Sequence, residues 1–147
     1  MFEYNAKVKR VIDGDTVDAY IDLGFDVWVT KRIRLMGINA PESRTRDLIE
    51  KRYGLGAKLR LIEMLQQSED KFVLKSHGTG KYGRVLGELF IVCKKNDNSI
   101  VSINKQLVKE GHAVEYFGGS RQEVKSALIK ARSVSEEYVL TYIEEIK

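Results

Sequence analysis

The chain has 147 residues, 43% hydrophobic and 31% charged, a length that fits one domain and a composition that excludes a disordered polyelectrolyte. No apolar run approaches the ~18 residues a membrane span needs, and the opening MFEYNAKVKR lacks the basic and apolar regions of a signal peptide. The net charge of +4 is uneven, because residues 134–147 hold Glu136, Glu137, Glu144 and Glu145 against Lys147, which leaves a basic body that can attract a polyanion. We therefore expect a monomer without membrane contact, in the cytoplasm of a bacterium or a phage-infected host. Cys93 is the single cysteine and His77 and His112 are the two histidines, so neither a disulfide framework nor a zinc spacing is present.

The first ten residues run into a strand pattern. Val17, Ala19 and Ile21 alternate, and after Asp22-Leu23-Gly24 the alternation resumes at Phe25, Val27 and Val29 and continues through Ile33 and Leu35. A period of two on both sides of a turn predicts a hairpin, with Arg32 and Arg34 on the face opposite the apolar one. Gly37 and Pro41, the single proline, end that strand. From Gly56 to Gln67 the spacing of Leu59, Ile62 and Leu65 predicts the first helix.

Lys71–Leu74 and Val85–Cys93 read as strands, with turns at His77-Gly78-Thr79-Gly80 and Lys95-Asn96-Asp97-Asn98. A short helix from about Ile103 to Glu110 ends at Gly111, a glycine suited to the left-handed position after a helix. A short strand at Val114–Phe117 and the loop Gly118-Gly119-Ser120 lead to a helical C-terminal segment marked by Val124, Leu128 and Ala131. This order predicts a small barrel plus about three helices, a class that includes the OB type, in a single domain over residues 1–147 with an acidic helical tail from about residue 134.

Three clusters carry the chemistry: Asp13-Gly14-Asp15-Thr16, the run from Arg34 to Glu42, and Lys81-Tyr82-Gly83-Arg84. Taken singly, the first and third read as turns. Together they supply what phosphodiester hydrolysis requires. Oxygens of Asp15 and Asn39 suit a hard cation. Glu42 can take a proton from an attacking water, and Arg34 and Arg84 can each give two hydrogen bonds to phosphate oxygens.

At these clusters the chain resembles the staphylococcal nuclease (thermonuclease) family, through IDGDT at Ile12–Thr16, RLMGINAPE at Arg34–Glu42 and KYGR at Lys81–Arg84, in the family's order. The likeness extends through EKRYGLGA at Glu50–Ala57 and LVKEGHAVEYF at Leu107–Phe117, and covers roughly residues 5–135. It implies a five-stranded OB-fold barrel bearing a Ca²⁺-dependent nuclease site that cuts DNA and RNA and leaves 3′-phosphates. Arg34, Glu42 and Arg84 would be catalytic; Asp15, the Asn39 side chain and the Ala40 carbonyl would bind Ca²⁺; Lys81 and Tyr82 would contact substrate phosphate and Tyr116 would stack near a base.

Asn39-Ala40 departs from the Asp-Thr of the family's best-known members, which removes one negative charge from the cation's ligands and implies weaker Ca²⁺ binding. The segment SEEYVLTYIEEIK has no counterpart in the resemblance. The competing expectation is a catalytically weak or inactive OB barrel that binds single strands through basic grooves and aromatic platforms. Retention of both arginines and Glu42 favours catalysis, since binding alone needs no general base.

Overall fold

The computed structural model describes residues 2–80, 83–94 and 98–146. In chain order the elements are β1 (Phe2–Asp13), β2 (Thr16–Asp22), β3 (Trp28–Leu35), β4 (Ile38–Asn39), α1 (Leu48–Gln66), β5 (Lys71–Thr79), β6 (Val85–Cys93), β7 (Ser99–Ser102), α2 (Ile103–Lys109), β8 (Val114–Glu115) and α3 (Arg121–Tyr142). The strands follow the order β3-β2-β1-β5-β6-β7, and a further pairing of β3 with β6 closes β1, β2, β3, β5 and β6 into a barrel. That closing pair is parallel, with Ile33 opposite Val85, Arg34 opposite Leu86 and Leu35 opposite Gly87. The expected five-stranded OB barrel with three helices is the fold found. No helix among the described residues is long and apolar enough to cross a membrane.

Alternation explains the barrel's two surfaces. Val17, Ala19, Ile33, Leu35, Leu74 and Leu89 point inward and are buried, each large one contributing about 1.5–3 kcal/mol of transfer free energy. Leu61 and Leu65 of α1 and Ile103 and Leu107 of α2 join this core. Asn104 of α2 is buried among them and acts as a polar rivet: its Oδ1 accepts from the Leu89 N–H at 3.1 Å, and its Nδ2 donates to the Met36 carbonyl at 2.9 Å and the Gly87 carbonyl at 3.2 Å. It thereby ties the exit of β3 to β6. Gly111, at φ +76°, closes α2 as expected, with its N–H donating to the Val108 carbonyl and the His112 N–H to the Leu107 carbonyl.

Several boundaries differ from the sequence expectation. β3 starts at Trp28: Phe25 is fully exposed and, with Asp26, adopts a left-handed backbone at the hairpin tip, so the apolar alternation runs on through a loop. β5 continues through His77 and Gly78 to Thr79, with an irregular register that Gly78 accommodates at φ +109°. Of the expected turn at Lys95–Asn98, residues 95–97 lie outside the described residues. β7 is an added strand, and β8 covers only the first half of Val114–Phe117.

The first helix begins at Leu48, well before Gly56. Asp47 caps it, accepting from the Ile49 and Glu50 N–H groups at 3.1 and 3.2 Å. Two helix-weakening glycines lie inside it because neighbours come too close for a side chain. A Cβ on Gly54 would lie 2.3 Å from the Glu42 carbonyl oxygen, and one on Gly56 would lie 2.8 Å from Val139 Cγ2. The acidic tail is helical only as far as Tyr142, where α3 ends, and Glu144 and Glu145 lie beyond the helix. Leu128, Ser135 and Val139 form its buried stripe, Tyr138 donates its hydroxyl proton to Glu63, and Arg52 donates to the Ile143 carbonyl at 2.7 Å. The tail thus docks on α1.

Candidate functional site

The β1–β2 turn delivers Asp15 to a corner where three segments meet. Gly14 permits this, since a Cβ there would lie 2.6 Å from that of Ala57 and 3.1 Å from that of Ala40. The Asp15 carboxylate accepts from Thr16 Oγ1 at 3.0 Å and from the Ala40 N–H at 3.0 Å, and Arg34 Nη1 lies 3.5 Å from its Oδ2. Asp15 is therefore fixed against the loop that carries Asn39 and Ala40.

Arg34 leaves β3 on its outward face and folds back over the strand's end. Nη1 donates to the Leu35 carbonyl at 3.0 Å and Nη2 to the Ile38 carbonyl at 2.9 Å, with a longer bond of 3.4 Å to the Asp15 carbonyl. These bonds hold the guanidinium flat across the turn made by Gly37, whose φ is +77°. Among the described residues Nε takes no acceptor, so one donor direction of the fork stays available for an anion.

Pro41 is buried and Glu42, next in the chain, is exposed. The Glu42 backbone rests on α1 at Gly54, and the Ser43 hydroxyl donates to Asp13, which moors the far side of the loop to β1. The Glu42 carboxylate opens into a cleft of about 670 Å³ that Asn39, Ala40 and Tyr116 also line. Its far wall is α3, with Arg121 and Lys125. The opening residues of α3 are therefore part of the site, although only a basic pair four apart after Gly-Gly-Ser hinted at it in the sequence.

Arg84 lines a neighbouring concavity of about 560 Å³, together with Asp13, Thr16, Arg32 and Arg44. Because Arg34 faces Leu86 in the parallel β3–β6 register, Arg84 lies two residues earlier on the same outward face, beside Arg32. The structure thus brings Asp15, Arg34, Asn39 and Ala40 together, puts Glu42 and Tyr116 in the adjoining cleft, and gives Arg84 to a second concavity around the Asp13–Thr16 turn. Lys81 and Tyr82 lie outside the described residues.

The oxygens that could hold a cation at this corner are of the kind a hard ion prefers, the Asp15 carboxylate, the Asn39 amide and the Ala40 carbonyl, with the Arg34 guanidinium sharing the same carboxylate. A carboxylate offers about four lone-pair sites, so Asp15 keeps room for an ion beside its protein donors. Among the described residues no three Asp, Glu, His or Cys side chains converge on one point. The donor set fits a hard cation, held with one formal negative charge.

The structure also exposes supports that the motifs did not announce: Thr16 orienting Asp15, Asn104 tying β3 to β6, and Gly14 and Gly54 clearing space. Of the glycines, only a requirement for smallness distinguishes them from ordinary turn or breaker residues.

Comparison with known proteins agrees with this architecture. The model of the staphylococcal nuclease homologue family matches residues 32–137. The chain is 29% identical over 152 residues to the uncharacterized protein MJ1439 of Methanocaldococcus jannaschii, covering 91% of this chain and 69% of that protein. It is 34% identical over 122 residues to endonuclease YhcR of Bacillus subtilis, covering 78% of this chain and 9% of YhcR. It is 28% identical over 116 residues to protein ParB of Escherichia coli, covering 78% of this chain and 58% of ParB, so the chain spans less than two thirds of these last two relatives. With the family match running from β3 into α3, on a closed five-stranded barrel, the chain belongs to the family of staphylococcal nuclease homologues.

Proposed function

We propose that this chain is a Ca²⁺-dependent nuclease that hydrolyses phosphodiester bonds of DNA or RNA and leaves 3′-phosphates. The observation that carries the reading is the pinning of Arg34 against Asp15 and the Asn39–Ala40 loop, at the edge of the cleft into which Glu42 opens. The resemblance of the three motifs and the likeness to an endonuclease support it.

In this reading Glu42 removes a proton from a water, the water oxygen bonds to phosphorus, and the bond from phosphorus to the 5′-oxygen breaks. The leaving oxygen takes a proton from solvent. Arg34 and Arg84 donate to the phosphoryl oxygens as negative charge builds on them. Asp15, Asn39 and Ala40 would hold Ca²⁺, which when bound supplies positive charge next to the scissile phosphate. Lys81 and Tyr82 contact phosphate, and Tyr116 stacks near a base at the cleft wall.

The test is cleavage of single-stranded DNA, duplex DNA and RNA with Ca²⁺, with Mg²⁺ and with EDTA, with Glu42→Gln alongside. Calcium-dependent cleavage is expected, reduced about 10²- to 10⁴-fold in the variant, with substrate binding retained. Activity of the variant within twofold of the parent would remove Glu42 from its role. A second reading, a barrel that binds single strands without cutting them, is favoured by the single carboxylate among the cation donors; binding without cleavage in every metal would establish it.

A further inference from the structure

Arg121 and Lys125 lie four residues apart on α3, in the wall of the cleft into which Glu42 opens. Both are exposed. Among the described residues neither takes part in an ion pair, and neither do the two carboxylates that line the same cleft, Glu42 and Glu50. No charged bridge closes the cleft, whose volume is about 670 Å³. Beside the two cations the helix presents half-buried Val124 and buried Leu128 to it.

The helix itself gains nothing from this pair. Ser120 caps α3, accepting from the Glu123 N–H at 3.1 Å, and Arg121 and Lys125 fall at the first and fifth positions after the cap. The N-terminal end of a helix carries partial positive charge, so acids stabilise it and bases do not, and like charges four apart repel. Two cations are thus held close together without a counter-charge, at the helix end that least favours them. An anion in the cleft would relieve both costs.

In-line displacement decides which part of a strand enters this cleft. In the reading proposed above Glu42 delivers the water, so the water meets phosphorus from the Glu42 side and the 5′-oxygen departs from the opposite side. The piece of strand bearing the departing oxygen is led away from Glu42. The piece that keeps the phosphate, on its 3′-oxygen, is the one free to lie in the cleft.

We propose that Arg121 and Lys125 bind the phosphate next to the scissile one on its 5′ side, so that the cleft between the Glu42 loop and α3 selects the retained strand by its charge. Four residues of helix rise about 6 Å, which lets both side chains reach that phosphate from one wall, the arginine by its fork and the lysine as a point charge. The consequence is a preference for cutting inside a chain. A linkage at a 5′ end that bears no phosphate has nothing to offer the pair and is cut more slowly. The proposal rests on the nuclease reading for the direction of the strand; the contact between the pair and a phosphate does not.

Thymidine tetranucleotides with a single phosphodiester, at the central linkage, test the direction. The linkage 5′ to it is either a phosphorothioate, charged but slow to cleave, or a neutral methylphosphonate, and the 3′ linkage is a methylphosphonate in both; a third substrate carries its charge on the 3′ side instead. With Ca²⁺ the parent should cut the 5′-charged substrate with a kcat/KM about 3- to 10-fold above that of the neutral one, and Arg121→Gln/Lys125→Gln should lose that discrimination. A second readout needs no cleavage. In EDTA, the salt slope of log K for a labelled oligothymidylate should be shallower by about 1.4 in the double variant, about 0.7 for each cation lost from a single strand. Lys130→Gln, on the same helix but in a different concavity, should leave both readouts at the parent's values.

Discrimination kept by the double variant would overturn the proposal, as would a parent that treats charged and neutral linkages alike or depends on the 3′ charge instead. An unchanged salt slope, or an equal change per charge in Lys130→Gln, would do the same. Both side chains are exposed, so the variants should melt with the parent and the losses are assigned to the cleft. A parent that binds but cuts nothing in any metal removes the nuclease and leaves the salt slope to decide the phosphate contact. Cleavage with an unaltered slope removes the contact and leaves the nuclease.

Discussion

In the proposed cation site, Asn39 decides how much negative charge the Asp15 corner offers. With the Asp15 carboxylate already shared with Thr16, Ala40 and Arg34, a second carboxylate should have a large effect: Asn39→Asp is expected to tighten Ca²⁺ about tenfold or more. Calorimetric titration checks this, and an unchanged affinity would mean that position 39 is not a ligand. Arg84 is expected to act on the rate and on phosphate binding together, so Arg84→Ala should lower turnover about 10²- to 10³-fold. Unaltered turnover at saturating substrate would confine Arg84 to the concavity it shares with Arg32. At this scale the sequence was legible in placement, since Asp15 and Arg34 do meet beside the Asn39–Ala40 loop and Glu42 lines the adjoining cleft. Asn104 was not, because a buried amide looks ordinary until its partners, distant in the chain, are known.

Between α1 and the Glu42 loop the fit is backbone to backbone. Alanine ordinarily favours a helix over glycine by about 1 kcal/mol, yet Gly54→Ala should destabilise the protein by about 1–3 kcal/mol, because the new Cβ meets the Glu42 carbonyl and the Ser43 nitrogen. Chemical denaturation checks the sign, and kinetics should show turnover falling more than KM rises as the loop moves off the helix. A stabilised Gly54→Ala chain would mean that the loop shifts freely and that α1 does not position Glu42. The same glycines explain why the start of α1 was illegible: between Leu48 and Gly56 they read as breakers, when their reason is packing against Glu42 and Val139. β3 was misjudged at its start for the opposite reason, since Phe25 and Val27 keep the strand period while lying in the hairpin tip. β6 was legible in full, Val85–Cys93, because its apolar run ends at Cys93, where its pairing with β7 also ends.

The docking of α3 gives the molecule a pH dependence. His112 is 2% exposed and stands edge-on to Tyr138 of α3, ring centres 4.9 Å apart. Burial pushes its imidazole down to about 4, with Glu110 pulling it up in part and Arg60 adding to the depression. The unfolded chain therefore binds the proton first as pH falls, so stability is present above about pH 6.5 and lost on the way to about 4, up to roughly 3 kcal/mol. Urea midpoints across that range should fall in the parent and stay flatter in His112→Gln; equal slopes would show that His112 does not control the dependence. Glu110 acts below this window. Its burial alone would raise its pKa, but hydrogen bonds from Arg60 and Gln106 outweigh that and keep it below the usual carboxylate range. The parallel joint between β3 and β6 has a consequence in time. Arg34 and Leu86 are about fifty residues apart in the chain and meet only when the ring shuts, and such distant pairings are slow to form. A polypeptide still leaving the ribosome holds Asp15, Arg34 and Glu42 long before Arg84 can join them, so the proposed site belongs to the finished barrel and not to its nascent forms.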